Sequence, residues 1–101
     1  MKHVNILGLV FVSLWIAAVP GWAVDGKTLA NACIACHGQN GVSNSPIWPN
    51  LAAQKKDYLI KQIKAFKDGG RVDPMMSPTA ANLSDEEIEA LALYFSTLKQ
   101  Q

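Results

Sequence analysis

The sequence predicts a small all-α domain of three to four short helices that close around something other than their own side chains. Three observations carry this expectation. No stretch shows the alternating pattern of a strand, several repeat apolar residues at helical spacing, and the helices are too few and short to offset chain entropy by packing alone.

The 101 residues are 50% hydrophobic and 17% charged, with a formal charge of +1. A nucleic-acid binder needs a basic footprint, and Lys+Arg 9 against Asp+Glu 8 does not supply one. Lys55, Lys56, Lys61, Lys64 and Lys67 do cluster, which reads as a solvated helix face before it reads as a partner surface.

The apolar content is uneven, because Val4 to Val24 holds no charged side chain while every acid follows from Asp25 onward. Lys2 and His3 precede the apolar run Ile6 to Val19, and Pro20-Gly21-Trp22-Ala23 closes it with small residues. This is the layout of a cleavable export signal, cut after Ala23, so residues 1–23 are the signal and 24–101 the domain. The rival is an uncleaved anchor, since a spanning helix needs about 20 apolar residues. Pro20-Gly21 would break that helix early. Either way the domain lies outside the cytoplasm, in a bacterium the periplasm, and after cleavage no stable membrane insertion is expected.

In the remaining 78 residues, Asp25 caps a helix over Gly26 to His37 with Leu29, Ala32, Cys33 and Cys36 at helical spacing. Gly38 to Pro49 is rich in Gly, Asn, Ser and Pro and predicts a loop. A second helix runs from about Lys55 to Asp68 on Leu59, Ile63 and Phe66, with Gly69-Gly70 to end it. Gly70 to Leu83, carrying Pro74 and Pro78, predicts extended loop. Ser84 to Glu87 is a capping box, and Ile88, Leu91, Ala92, Phe95 and Leu98 form the buried stripe of the helix it opens.

One motif carries chemistry. Cys33-Ile34-Ala35-Cys36-His37 is C-x-x-C-H, the pattern of covalent c-type haem attachment. On a helix these positions are i, i+3 and i+4, so both sulfurs and the imidazole share a face. Two thioethers can then hold the haem vinyl positions while His37 reaches the iron. Competing readings are a disulfide, a thioredoxin-like redox pair or half a zinc site. The helical pattern lacks the βαβ setting of thioredoxin, and a zinc site needs four ligands where Cys33, Cys36 and His37 are the only Cys or His of the mature chain. A disulfide leaves the core deficit unexplained. For the other iron face, His3 departs with the signal and the remaining soft side chains are Met75 and Met76. Their alternative role is gap-filling in the core; Lys ligation and a five-coordinate iron stay open.

Taken in order, Gly26 with Leu29, Cys33 to Gly38, Pro49-Asn50-Leu51-Ala52, Tyr58-Leu59 with Phe66, Met75-Met76, Leu83 to Glu86, Leu91-Ala92 and Tyr94-Phe95 resemble a short bacterial class I c-type cytochrome over the whole mature chain. The resemblance implies the class I cytochrome c fold around one covalently bound haem c, His/Met-ligated. It implies covalent attachment at Cys33 and Cys36, His37 as the proximal ligand, and Met76, eight positions before Ser84, as the distal ligand, with Met75 as the fallback. It also implies that the Pro49 carbonyl accepts the His37 Nδ1 proton and that Gly26 marks a close crossing of first and last helices near Tyr94. Ala53 departs from the pattern, standing where such sequences often have Gly. Trp48 and Arg71 are candidate donors to the haem propionates, with packing and a solvated surface position as their plainer alternatives.

These readings predict a periplasmic single-electron carrier, cycling Fe(III)/Fe(II) between respiratory redox partners, since a six-coordinate iron leaves no vacant site for other chemistry. No substrate is transformed and a monomer is expected. The alternatives are a haem-bearing subunit of a larger oxidoreductase complex, a haem-based enzyme or sensor with a labile Met ligand, and a haem-free thiol oxidoreductase.

Overall fold

The computed structural model describes residues 2–3, 8–15 and 24–100. Five α-helices occur among them: α1 Gly26–Leu29, α2 Ile34–His37, α3 Lys56–Asp68, α4 Met76–Ala81 and α5 Asp85–Thr97. The expected cleavage position after Ala23 lies outside the described residues, and no described helix is long and apolar enough to cross a membrane.

Two helices follow directly from their caps and apolar spacing. Lys55 precedes α3 in extended conformation, and Gly69, at φ 85°, ends it. Ser84 opens α5 with both halves of the capping box formed, its hydroxyl accepting from Glu87 N–H at 3.1 Å and the Glu87 carboxylate accepting from Ser84 N–H at 3.0 Å. These bonds satisfy two amides that have no partner within the helix. α5 buries Ile88, Leu91, Ala92 and Phe95, and α3 packs against it through buried Leu59.

Two expectations need correction. The helix expected over Gly26 to His37 is interrupted: after α1, Ala30–Ala32 forms a 3-10 turn, and Cys33 N–H reaches the Ala30 carbonyl at 2.8 Å before α2 begins. Such tight turns commonly connect short helices. The segment expected as extended loop from Gly70 to Leu83 contains α4. Pro78 does not prevent it, because a proline in the first helical turn lacks only an N–H that would have no intrahelical partner.

The ends of the domain meet where α1 crosses α5. Asp25 caps α1 with its carboxylate on Lys27 N–H at 3.1 Å, and hydrogen bonding, first from the Thr28 hydroxyl, holds that carboxyl below its usual range. A side chain at Gly26 would overlap the Ala90 carbonyl and lie 3.0 Å from Tyr94 Cβ. Glycine is therefore what permits the crossing, as expected from the sequence. The lysine cluster is divided in use: Lys56 pairs with Glu89 at 3.3 Å on the surface, whereas Lys67 Nζ donates to the Leu83 carbonyl at 2.6 Å.

Ala53, the departure noted in the sequence, adopts φ 61° while its N–H donates to the Phe95 carbonyl at 3.1 Å. A left-handed conformation costs an L-residue roughly 1–2 kcal/mol, part of which glycine would return as lost chain entropy. Ala53→Gly is accordingly expected to stabilise the intact protein by about 0.5–1 kcal/mol, read as a rise in Tm. A lowered Tm would show that the strain is relieved some other way.

Candidate haem site

Cys33, Cys36 and His37 occupy one helical turn. The Cys33 carbonyl accepts from Cys36 N–H at 3.3 Å and from His37 N–H at 2.9 Å, which fixes the i, i+3, i+4 relationship. Both cysteines are free and half-buried. Burial, then the neighbouring Cys36, pushes the Cys33 thiol above its ordinary pKa.

His37 is buried, at 7% exposure, and its Nδ1 lies 2.8 Å from the Pro49 carbonyl oxygen. A carbonyl can only accept, so Nδ1 carries a proton, and in the neutral ring Nε2 is the nitrogen with the free lone pair. No polar side-chain atom among the described residues is buried without a partner. Nε2, which has none there, therefore opens onto accessible space.

The loop after α2 holds Pro49 from both sides. Ser43 Oγ donates to the Cys36 carbonyl at 3.3 Å, and Ser43 N–H donates to Asn50 Oδ1 at 2.7 Å. The amides of Leu51 and Ala52 converge on the Gly41 carbonyl at 2.7 and 2.9 Å. Gly41 sits at φ 75°, and a Cβ there would lie 2.9 Å from Ala52 N and 3.1 Å from the Phe95 ring. Sequence reasoning gave no role to Ser43, Asn50 or Gly41. Only the glycine carried a signal, its place in a turn-rich stretch.

On the other candidate segment, Met76 is the first residue of α4 and half-buried, whereas Met75 precedes it and is 59% exposed. The Asp73 carboxylate accepts from the amides of both, and those bonds, Met76's first, keep its carboxyl below the usual range. Sequence reasoning gave Asp73 no part in the site. The Asp-Pro pair ahead of a helix start is the signal that marks it.

Trp48 is 38% exposed and lines a groove of about 410 Å³ together with Cys36, Ile34 and Gly38. Arg71 lies with its guanidinium carbon 4.3 Å from the Phe66 ring centroid, and its Nη1 donates to Gln62 Oε1 at 2.7 Å. A larger groove, about 640 Å³ between α1 and α5, includes none of the C-x-x-C-H residues.

The core fits a large apolar guest. Of the buried apolar residues described, Ala30, Ala52, Ala80 and Ala92 are as numerous as Leu59, Ile88, Leu91 and Phe95. A core half made of alanines fills little volume with its own side chains, and two thiols and an imidazole lone pair stand beside it.

A family model described as Cytochrome c matches residues 23–99. The chain belongs to the cytochrome c family. It is a class I monohaem cytochrome with one covalent haem c, an electron carrier and not an enzyme. Cytochrome c-554(548) of Halomonas halodenitrificans is 42% identical over 80 residues, covering 76% of this chain and 96% of that one. Cytochrome c4 of Thiocapsa roseopersicina is 45% identical over 73 residues, 71% of this chain but 38% of its own. The structure of reduced recombinant cytochrome c4 from Pseudomonas stutzeri superposes with a TM-score of 0.71 at 35% identity, over 81% of this chain and 50% of that one. The cytochrome thus matches nearly all of one relative and half or less of the two longer ones.

Proposed function

We propose that this cytochrome is a periplasmic single-electron carrier between respiratory redox partners, with the haem attached at Cys33 and Cys36 and the iron held by His37 and Met76. When bound, the haem supplies a one-electron Fe(III)/Fe(II) couple. The observation that carries the ligand reading is the bond from His37 Nδ1 to the Pro49 carbonyl, because it dedicates Nε2 to the metal. Met76 is favoured over Met75 by its shielded place at the start of α4. A thioether there stabilises the reduced iron and leaves no vacant position for a substrate.

The charged N-terminal residues, the apolar run and the small residues up to Ala23 support export with removal of residues 1–23, leaving 24–101 as a monomeric domain in the periplasm. Trp48 is a candidate propionate donor from its place beside Cys36. Arg71, stacked on Phe66 and bonded to Gln62, would have to leave those contacts to serve the same role.

The test is the visible spectrum of the purified periplasmic protein. Reduced c-type bands together with the weak far-red band of Fe(III) bound to Met sulfur in the oxidised form are expected. Haem without the far-red band would remove Met76 from the iron and turn the reading toward a sensor or enzyme.

A further inference from the structure

Two adjacent methionines stand in the segment that supplies the second ligand, and something must decide between them. We propose that Asp73 is the positioning residue that selects Met76 over Met75, an inference that rests on the Met76 reading above.

Asp73 Oδ2 accepts from Met75 N–H at 2.8 Å and from Met76 N–H at 2.7 Å. Its own N–H donates to Ser77 Oγ at 2.9 Å, and its carbonyl accepts from Ser77 N–H at 3.0 Å. Four hydrogen bonds therefore close one turn from Asp73 to Ser77, with both methionine amides fixed on a single carboxylate oxygen. Pro74 adds a fixed φ inside the same turn. The turn starts α4 at Met76, and Thr79 Oγ1 donates to the Met75 carbonyl at 2.8 Å to continue it.

Neighbouring side chains on a helix diverge by about 100°. A clasp that fixes the register therefore settles which thioether is presented and which is turned out, and here Met75 is the exposed one. Both bonds are made to a carboxylate, the strong class of acceptor. Losing them removes the reason for the turn to begin at Met76 and not one residue earlier.

The experiment uses the haem-loaded protein and reads the far-red band of the oxidised form and carbon monoxide binding by the reduced form. Met76→Leu alone should abolish the band. In Asp73→Ala the band should persist but shift and broaden, because the iron is then held by Met75 in some molecules and by Met76 in others, and Asp73→Asn, which keeps an acceptor oxygen, should show less of this change. In the double variant Asp73→Ala with Met76→Leu, a far-red band should return, carried by Met75, and Met75→Leu should remove it. An unchanged band and unchanged carbon monoxide binding in Asp73→Ala, with no band in the double variant, would overturn the proposal while leaving Met76 as the ligand. A band that survives Met76→Leu alone would overturn the ligand reading itself. Should Asp73→Ala not fold, the same comparison on Asp73→Asn decides: wild-type band and carbon monoxide rates there overturn the selection by charge.

Discussion

Prevented from acquiring its haem, this chain is expected not to fold. The double variant Cys33→Ala, Cys36→Ala, produced without haem attachment, should show the far-UV circular dichroism of a largely unstructured chain and no cooperative thermal transition. The reason lies in the core. Leu59, Ile88, Leu91 and Phe95 each contribute about 1.5–3 kcal/mol on burial, while the alanines that make up the other half contribute far less. Helices as short as α1, α2 and α4 are not stable by themselves, so they depend on a partner surface. A cooperative transition with native helix content in the haem-free variant would show that the side chains suffice and that the core argument is wrong.

The second large effect is expected at Met76. Met76→Leu keeps volume and apolarity, so its cost in stability should stay below about 1.5 kcal/mol. Its effect on the iron should be much greater. Removing the thioether takes away the ligand that favours Fe(II), and since axial ligation spans about 0.8 V across haem proteins, the reduction potential should fall by on the order of 0.1 V or more. The reduced variant should bind carbon monoxide. Potentiometric titration and carbon monoxide difference spectra check both outcomes, with Met75→Leu as the control that changes neither. If Met75→Leu produces the fall and Met76→Leu does not, the ligand is Met75.

What was legible in the sequence was whatever depends on near neighbours. The capping box of Ser84 and Glu87, the glycine after Asp68 and the apolar spacing of α3 and α5 are local signals, and those helices stand within a residue or so of their expected bounds. The C-x-x-C-H motif is equally local. The break at Ala30–Ala32 was not legible, because a 3-10 turn and an α-turn differ by one hydrogen bond that no residue there announces. The helix α4 was missed because two prolines dominate its composition while the Asp73 carboxylate that starts it acts through backbone amides. The clamp around Pro49 and the bond from Lys67 to Leu83 join residues distant in the chain, and pairings of that kind leave no periodic trace.

The crossing of α1 and α5 at Gly26 has a consequence for the order of events during synthesis. A chain made from its N-terminus presents Cys33, Cys36 and His37 early, yet the helix that must rest on Gly26 emerges some fifty residues later, about as many as separate His37 from Asp85. Closure of the domain therefore waits for its final residues. Until then the thiols stand on an open chain, reachable by whatever machinery joins them to the haem.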